Sequence, residues 1–66
     1  KLTMSLSDVV RELRRYGMHT SPTRVGDAIA SGRYTFGRLV STGPTGRREF
    51  EIFRTDFDRW LQERIP

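Results

Sequence analysis

Cysteine is absent from these 66 residues and histidine occurs once. The first absence excludes disulfides and thiolate metal sites, and a lone imidazole is too few for a metal clip. No apolar run exceeds three residues, so no segment reads as a membrane-spanning helix or a signal peptide. A phosphate-cradling loop is also missing: Gly43–Glu49, GPTGRRE, has glycines but neither the lysine nor the following helix that such a loop needs. No Ser, His and Asp set has support on so small a scaffold. An enzyme is therefore not expected, and no cofactor or metal is implied.

A chain of 66 residues makes one domain, 1–66, and buries only about 60% of its unfolded surface. A hydrophobic fraction of 35% and seven aromatics allow one small core. Lys1, Leu2 and Thr3 precede Met4 and read as a linker remnant, and the end at Pro66 fits a piece of a longer protein. Twelve basic residues against eight acidic ones give a net charge of +4, and eleven of the twelve are arginine. That balance favours an anionic partner, nucleic acid before a membrane surface. The alternative is a domain that is basic through genome composition and merely well solvated.

Local signals divide the chain into five elements. Ser5 with Asp8 at the third position forms a capping box, after which Leu6, Val9, Val10, Leu13 and Tyr16 recur at helical spacing and Gly17 stops the helix. Ser21-Pro22 restarts a helix with a cap followed by proline at the first position, and Gly32 ends it. Val25, Ala28 and Ile29 fall on one side of that helix; Thr23, Gly26, Asp27, Ala30 and Ser31 fall opposite, with Arg24 between. Gly26 weakens a helix by about 1 kcal/mol relative to alanine, and its place among small residues predicts close approach of another surface. Tyr34–Val40 and Glu49–Phe53 read as strands joined by the turn STGPTG. Thr55, with Asp58 at its third position, is expected to cap a last helix whose inner stripe is Phe57, Trp60, Leu61 and Ile65. The fold class is α+β, in the order helix-helix-strand-strand-helix, a winged helix-turn-helix with an antiparallel hairpin as wing. Phe36, Phe50, Phe53, Phe57 and Trp60 fall on inward stripes and are expected in the core rather than on a base-stacking platform.

The second helix ending in Ser-Gly-Arg, the hairpin, and then Ile52, Thr55, Asp56, Phe57, Trp60 and Leu61 in that order carry a resemblance. Over Ser5 to Leu61 the chain resembles the small winged-helix domains of the MerR-like superfamily, phage excisionases and AlpA-type regulators among them. The resemblance implies a DNA-binding domain whose second helix enters the major groove while the wing reaches the backbone or minor groove. Carried onto this sequence, it makes Thr20, Ser21, Thr23, Arg24 and Asp27 the residues facing DNA from the second helix. Arg24 suits either a guanine edge or a phosphate, Thr23 a thymine methyl, and Asp27 either a cytosine amine or a neighbouring arginine. Ser21 serves as helix cap, which is compatible with phosphate contact. Arg47 and Arg48 at the wing are candidates for the backbone; adjacent strand positions face opposite ways, so one of the two is expected to reach it. Arg33 and Arg38 flank the first strand and would extend the basic surface, while Arg14 and Arg15 stay open between phosphate contact and a solvated face. His19 reads as a hydrogen-bonded loop residue.

The implied partner is double-stranded DNA, with an integrase or recombinase, or further copies of the chain on DNA, as additional partners. The implied roles are an excisionase-like architectural factor or a small transcription regulator of a phage or mobile element. The DNA-binding domain of a larger phage protein, such as a terminase small subunit, is an alternative, and a winged-helix module that binds an acidic protein is another. A cytoplasmic, bacterial or phage-encoded protein that is monomeric when free, with no membrane partner, completes the expectation.

Overall fold

A computed structural model describes residues 2–65; Lys1 and Pro66, including the first residue of the expected linker remnant, lie outside them. The architecture is α+β: α1 (Leu6–Arg15), α2 (Pro22–Ala30), β1 (Gly37–Thr42), β2 (Arg48–Ile52) and α3 (Arg54–Gln62). No described helix is long and apolar enough to cross a membrane.

The first two helices start and stop where their local chemistry says. Ser5 Oγ accepts from the Asp8 N–H and Asp8 Oδ2 accepts from the Ser5 N–H, each at 3.1 Å, closing the capping box. Val9, Val10 and Leu13 are buried on the inner face of α1. Tyr16 departs from the expected stripe and is 58% exposed. It is the C-cap residue, and the chain turns away at Gly17, whose φ of +88° places it in the left-handed region. Ser21 caps α2 by accepting from the Arg24 N–H at 3.3 Å, and Pro22 occupies the first turn. Val25, Ala28 and Ile29 are buried.

β1 starts later than the apolar run predicts. Tyr34 and Phe36 are not in the strand; their rings stack 5.3 Å apart and both meet Trp60, at 5.2 and 4.8 Å. The Tyr34 N–H donates to the Ala28 carbonyl, which ties this segment to the end of α2 before the strand begins. The hairpin is antiparallel, with Leu39 opposite Phe50 and Ser41 opposite Glu49, so Val40 is an extra residue on β1.

The last helix begins earlier than its apparent cap. Phe53, not Thr55, is the N-cap residue and makes no side-chain capping bond; Thr55 and Asp56 lie in the first turn. Leu2 and Thr3, expected as part of a linker remnant, are instead integrated into the fold. The Leu2 carbonyl accepts from the Arg54 N–H at 3.0 Å, Met4 N donates to the Ile52 carbonyl at 2.9 Å, and Thr3 bridges Phe53. The Leu2 carbonyl thus satisfies the Arg54 N–H, the first donor of a helix that begins before Thr55, and the Phe57 N–H donates to the Phe53 carbonyl within that helix.

One core joins every element except β1: Met4 from the N-terminal segment, the inner faces of α1 and α2, Phe36 from the segment before β1, Ile52 of β2, and Phe57, Trp60 and Leu61 from α3. Phe36 packs edge-on against Phe57 at 5.1 Å and against Trp60. Phe50 and Phe53 are only half-buried, so they are not core residues in the expected sense.

Candidate nucleic-acid interface

The surface around the start of α2 is set by the turn that precedes it. Gly17 reverses the chain, Met18 N donates to the Leu13 carbonyl, and the Arg14 guanidinium reaches forward to donate to the Thr20 carbonyl at 2.9 Å. That bond holds the turn closed beside the Ser21 cap. Two adjoining concavities result. One is lined by Arg14, Gly17, Met18, His19 and Thr20. The other is lined by Met18, His19, Thr20, Arg24, Asp27, Ala28, Arg33 and Tyr34, and shares its first three residues with its neighbour. Tyr34 Oη donates to Met18 Sδ at 3.8 Å, and Arg33 Nε donates to Ser31 Oγ at 3.4 Å, fixing the far wall.

The eleven arginines divide by whether a carboxylate holds them. Arg11, Arg15, Arg38, Arg48, Arg59 and Arg64 each lie within 4.0 Å of an acidic oxygen. Among the described residues Arg14, Arg24, Arg33, Arg47 and Arg54 have no such ion pair. Three of those five, Arg14, Arg24 and Arg33, line the two adjoining concavities. Asp27 shares the second concavity and is paired with Arg48, so the cations there outnumber the carboxylate and project a positive field into solvent.

The expected site residues are brought together in part. Thr20, Arg24, Asp27 and Arg33 share one concavity, with Ser21 at its edge as helix cap and Thr23 exposed on α2. The hairpin arginines are placed differently from one another. Arg38 is held across the sheet by Glu51, its register partner, with Nη2 2.9 Å from Oε1. Since neighbouring strand positions alternate sides, this pair faces away from the Leu39–Phe50 pair. Arg48 turns back onto α2, with Nη2 2.9 Å from Asp27 Oδ1 and its guanidinium 5.4 Å from the Phe50 ring centre. Arg47, in the turn, is exposed and without an ion pair among the described residues. Of the two roles left open for Asp27, the arginine partner is the one seen in the free chain.

Gly26 has its close approach, and it is intramolecular. A Cβ at this position would lie 3.2 Å from Phe50 Cζ and 3.4 Å from Arg48 Nη2, so the hairpin, not an external surface, occupies the space. His19 and Tyr34 line the surface without standing among the sequence candidates, and Arg14, left open between phosphate contact and a solvated face, lines it too. Only the Gly17 turn, which folds the end of α1 against Thr20, brings Arg14 there. No group of three or more His, Asp or Glu side chains that could hold a metal ion is present among the described residues. No family model, no curated protein and no solved structure matches the chain.

Proposed function

We propose that this chain is a double-stranded-DNA-binding domain of the winged-helix type, with the start of α2 as its groove element and the β1–β2 hairpin as its wing. The observation that carries the reading is the gathering of Arg14, Arg24 and Arg33, none ion-paired among the described residues, along one side of α2, the first two at its start and Arg33 just past its end. A helix N-terminus beside guanidinium groups that no carboxylate neutralises suits phosphate, while the short exposed side chains of Thr23 and Ala30 let the helix backbone come close to base edges. Arg47 at the wing tip adds a further phosphate contact. The role that fits so small a basic domain is an excisionase-like architectural factor or a small regulator of a phage or mobile element. Service as the DNA-binding domain of a larger phage protein, such as a terminase small subunit, uses the same surface.

Titration of random duplex DNA over a salt series tests this reading. Four to six phosphate contacts give a slope of log affinity against log salt of about −4 to −5. Absence of binding at low salt would sink it. One feature favours a protein-binding module in that event: Tyr16 and Met18 are exposed beside Leu13, Trp60, Leu61 and Ile65, forming an apolar groove that meets the arginines' concavities at Met18.

A further inference from the structure

Among the described residues, Asp27 is the one carboxylate lining the concavity that also holds Arg24 and Arg33. Its side chain is 57% exposed, and on a surface that meets a polyanion such a charge repels phosphate. Its partner Arg48 is also held otherwise: the guanidinium lies over Phe50, and Phe50 in turn seats on Gly26. The Asp27–Arg48 pair therefore spans the two elements that the DNA reading assigns to groove and backbone.

We propose that Asp27 stands in for a DNA phosphate, holding Arg48 against α2 in the free protein and releasing it to the duplex backbone on binding. The inference rests on the DNA reading above. Exposed ion pairs are weak and exchange partners readily, so the transfer needs no rearrangement of the fold. The transfer leaves Asp27 unpaired beside phosphate, and that repulsion lowers affinity for every duplex that does not offer it a donor such as a cytosine amine. Asp27 thus suppresses random binding while Arg24 and Arg33 supply attraction.

Two measurements test the proposal, both on the whole chain. In the first, parent and Asp27→Asn are titrated with random duplex DNA over a salt series, with melting curves to check that the variant is folded. The variant should bind about fivefold more tightly at low salt, with a salt slope steeper by about one. In the second, the Arg48 side-chain N–H signals of the isotope-labelled parent are followed as duplex is added. They should shift together with the Thr23 and Arg24 amides. A parent that binds while Asp27→Asn gains nothing, or Arg48 signals that stay fixed while the α2 amides move, overturns the proposal and leaves the DNA reading standing. If neither parent nor variant binds, both fail. A parent that ignores DNA beside a variant that binds would sustain Asp27 as a block and overturn only the parent's assigned activity.

Discussion

The Phe50 ring lies 3.2 Å from the point where a side chain on Gly26 would begin. This contact seats the hairpin on α2, and it sets two effects against each other. Alanine in place of Gly26 gains about 1 kcal/mol of helix propensity, yet it must push back a half-buried ring that also carries Arg48. The contact should win, so Gly26→Ala is expected to lower stability by about 1 kcal/mol. In a Phe50→Leu background the same change should become neutral or stabilising. Thermal melting of the four proteins gives the coupling, and additive effects would remove the seat from the account.

Trp60 anchors α3 against Tyr34 and Phe36, beside Phe57 of its own helix. Trp60→Ala should cost about 3–5 kcal/mol, which a domain this small is not expected to survive. The indole Nε1 is buried with no hydrogen-bond partner among the described residues. Trp60→Phe keeps an aromatic ring and removes that donor, so it should retain the fold with a smaller loss. Circular dichroism melts separate the two; an alanine variant that melts like the parent contradicts the packing.

The arginines should divide in function as they divide in pairing. Arg24→Ala and Arg33→Ala are each expected to weaken random duplex binding and to flatten the salt slope by about 0.9. Arg38→Ala and Arg59→Ala should change both far less, since each of these side chains has a carboxylate partner in Glu51 or Asp56. Binding isotherms at several salt concentrations check this. Equal losses from both sets would replace a defined surface by diffuse charge.

Replacing the cap Ser21 with alanine removes the acceptor for the Arg24 N–H, at a cost of about 1 kcal/mol. The same change loosens the turn that Arg14 closes on Thr20. DNA affinity should fall by more than stability alone accounts for, measured well below the melting temperature. Ser21→Asp restores the cap but adds negative charge at the surface, so it should recover stability without recovering affinity.

The two leading helices were legible because every signal that fixes them is local. Ser5 with Asp8, Gly17, Ser21-Pro22 and Gly32 lie within a turn of the boundaries they set. What was not legible depends on residues far apart in the chain. Thr55 is not the cap because the helix starts earlier, at Arg54, whose N–H is met by the Leu2 carbonyl from the opposite end of the sequence. Tyr34 and Phe36 left the strand because Trp60 offered them a better-packed site. At the candidate surface, Arg24, Thr20, Asp27 and Arg33 did come together. The pairing of the hairpin arginines was not legible: Glu51 takes Arg38 away across the sheet, and Asp27 draws Arg48 back onto α2. Residue type announces a charge, whereas only the fold says whether that charge is already spent.

The free chain should sediment as a monomer, since its apolar stripes are used in one core and the remaining exposed apolar groove at Tyr16 and Met18 is small. Two adjacent sites on one duplex should then fill cooperatively. A stable dimer without DNA, or independent filling of tandem sites, contradicts assembly on DNA.

The central claim is that the start of α2 is a DNA-binding surface. Its most direct test follows the backbone amide signals of the labelled chain as duplex DNA is added at low salt. The account predicts shifts concentrated at Thr20, Thr23, Arg24, Asp27 and Arg33, with a second group at Arg47 and Arg48. Signals that do not move, or that move only around Tyr16, Met18 and Ile65, would contradict it.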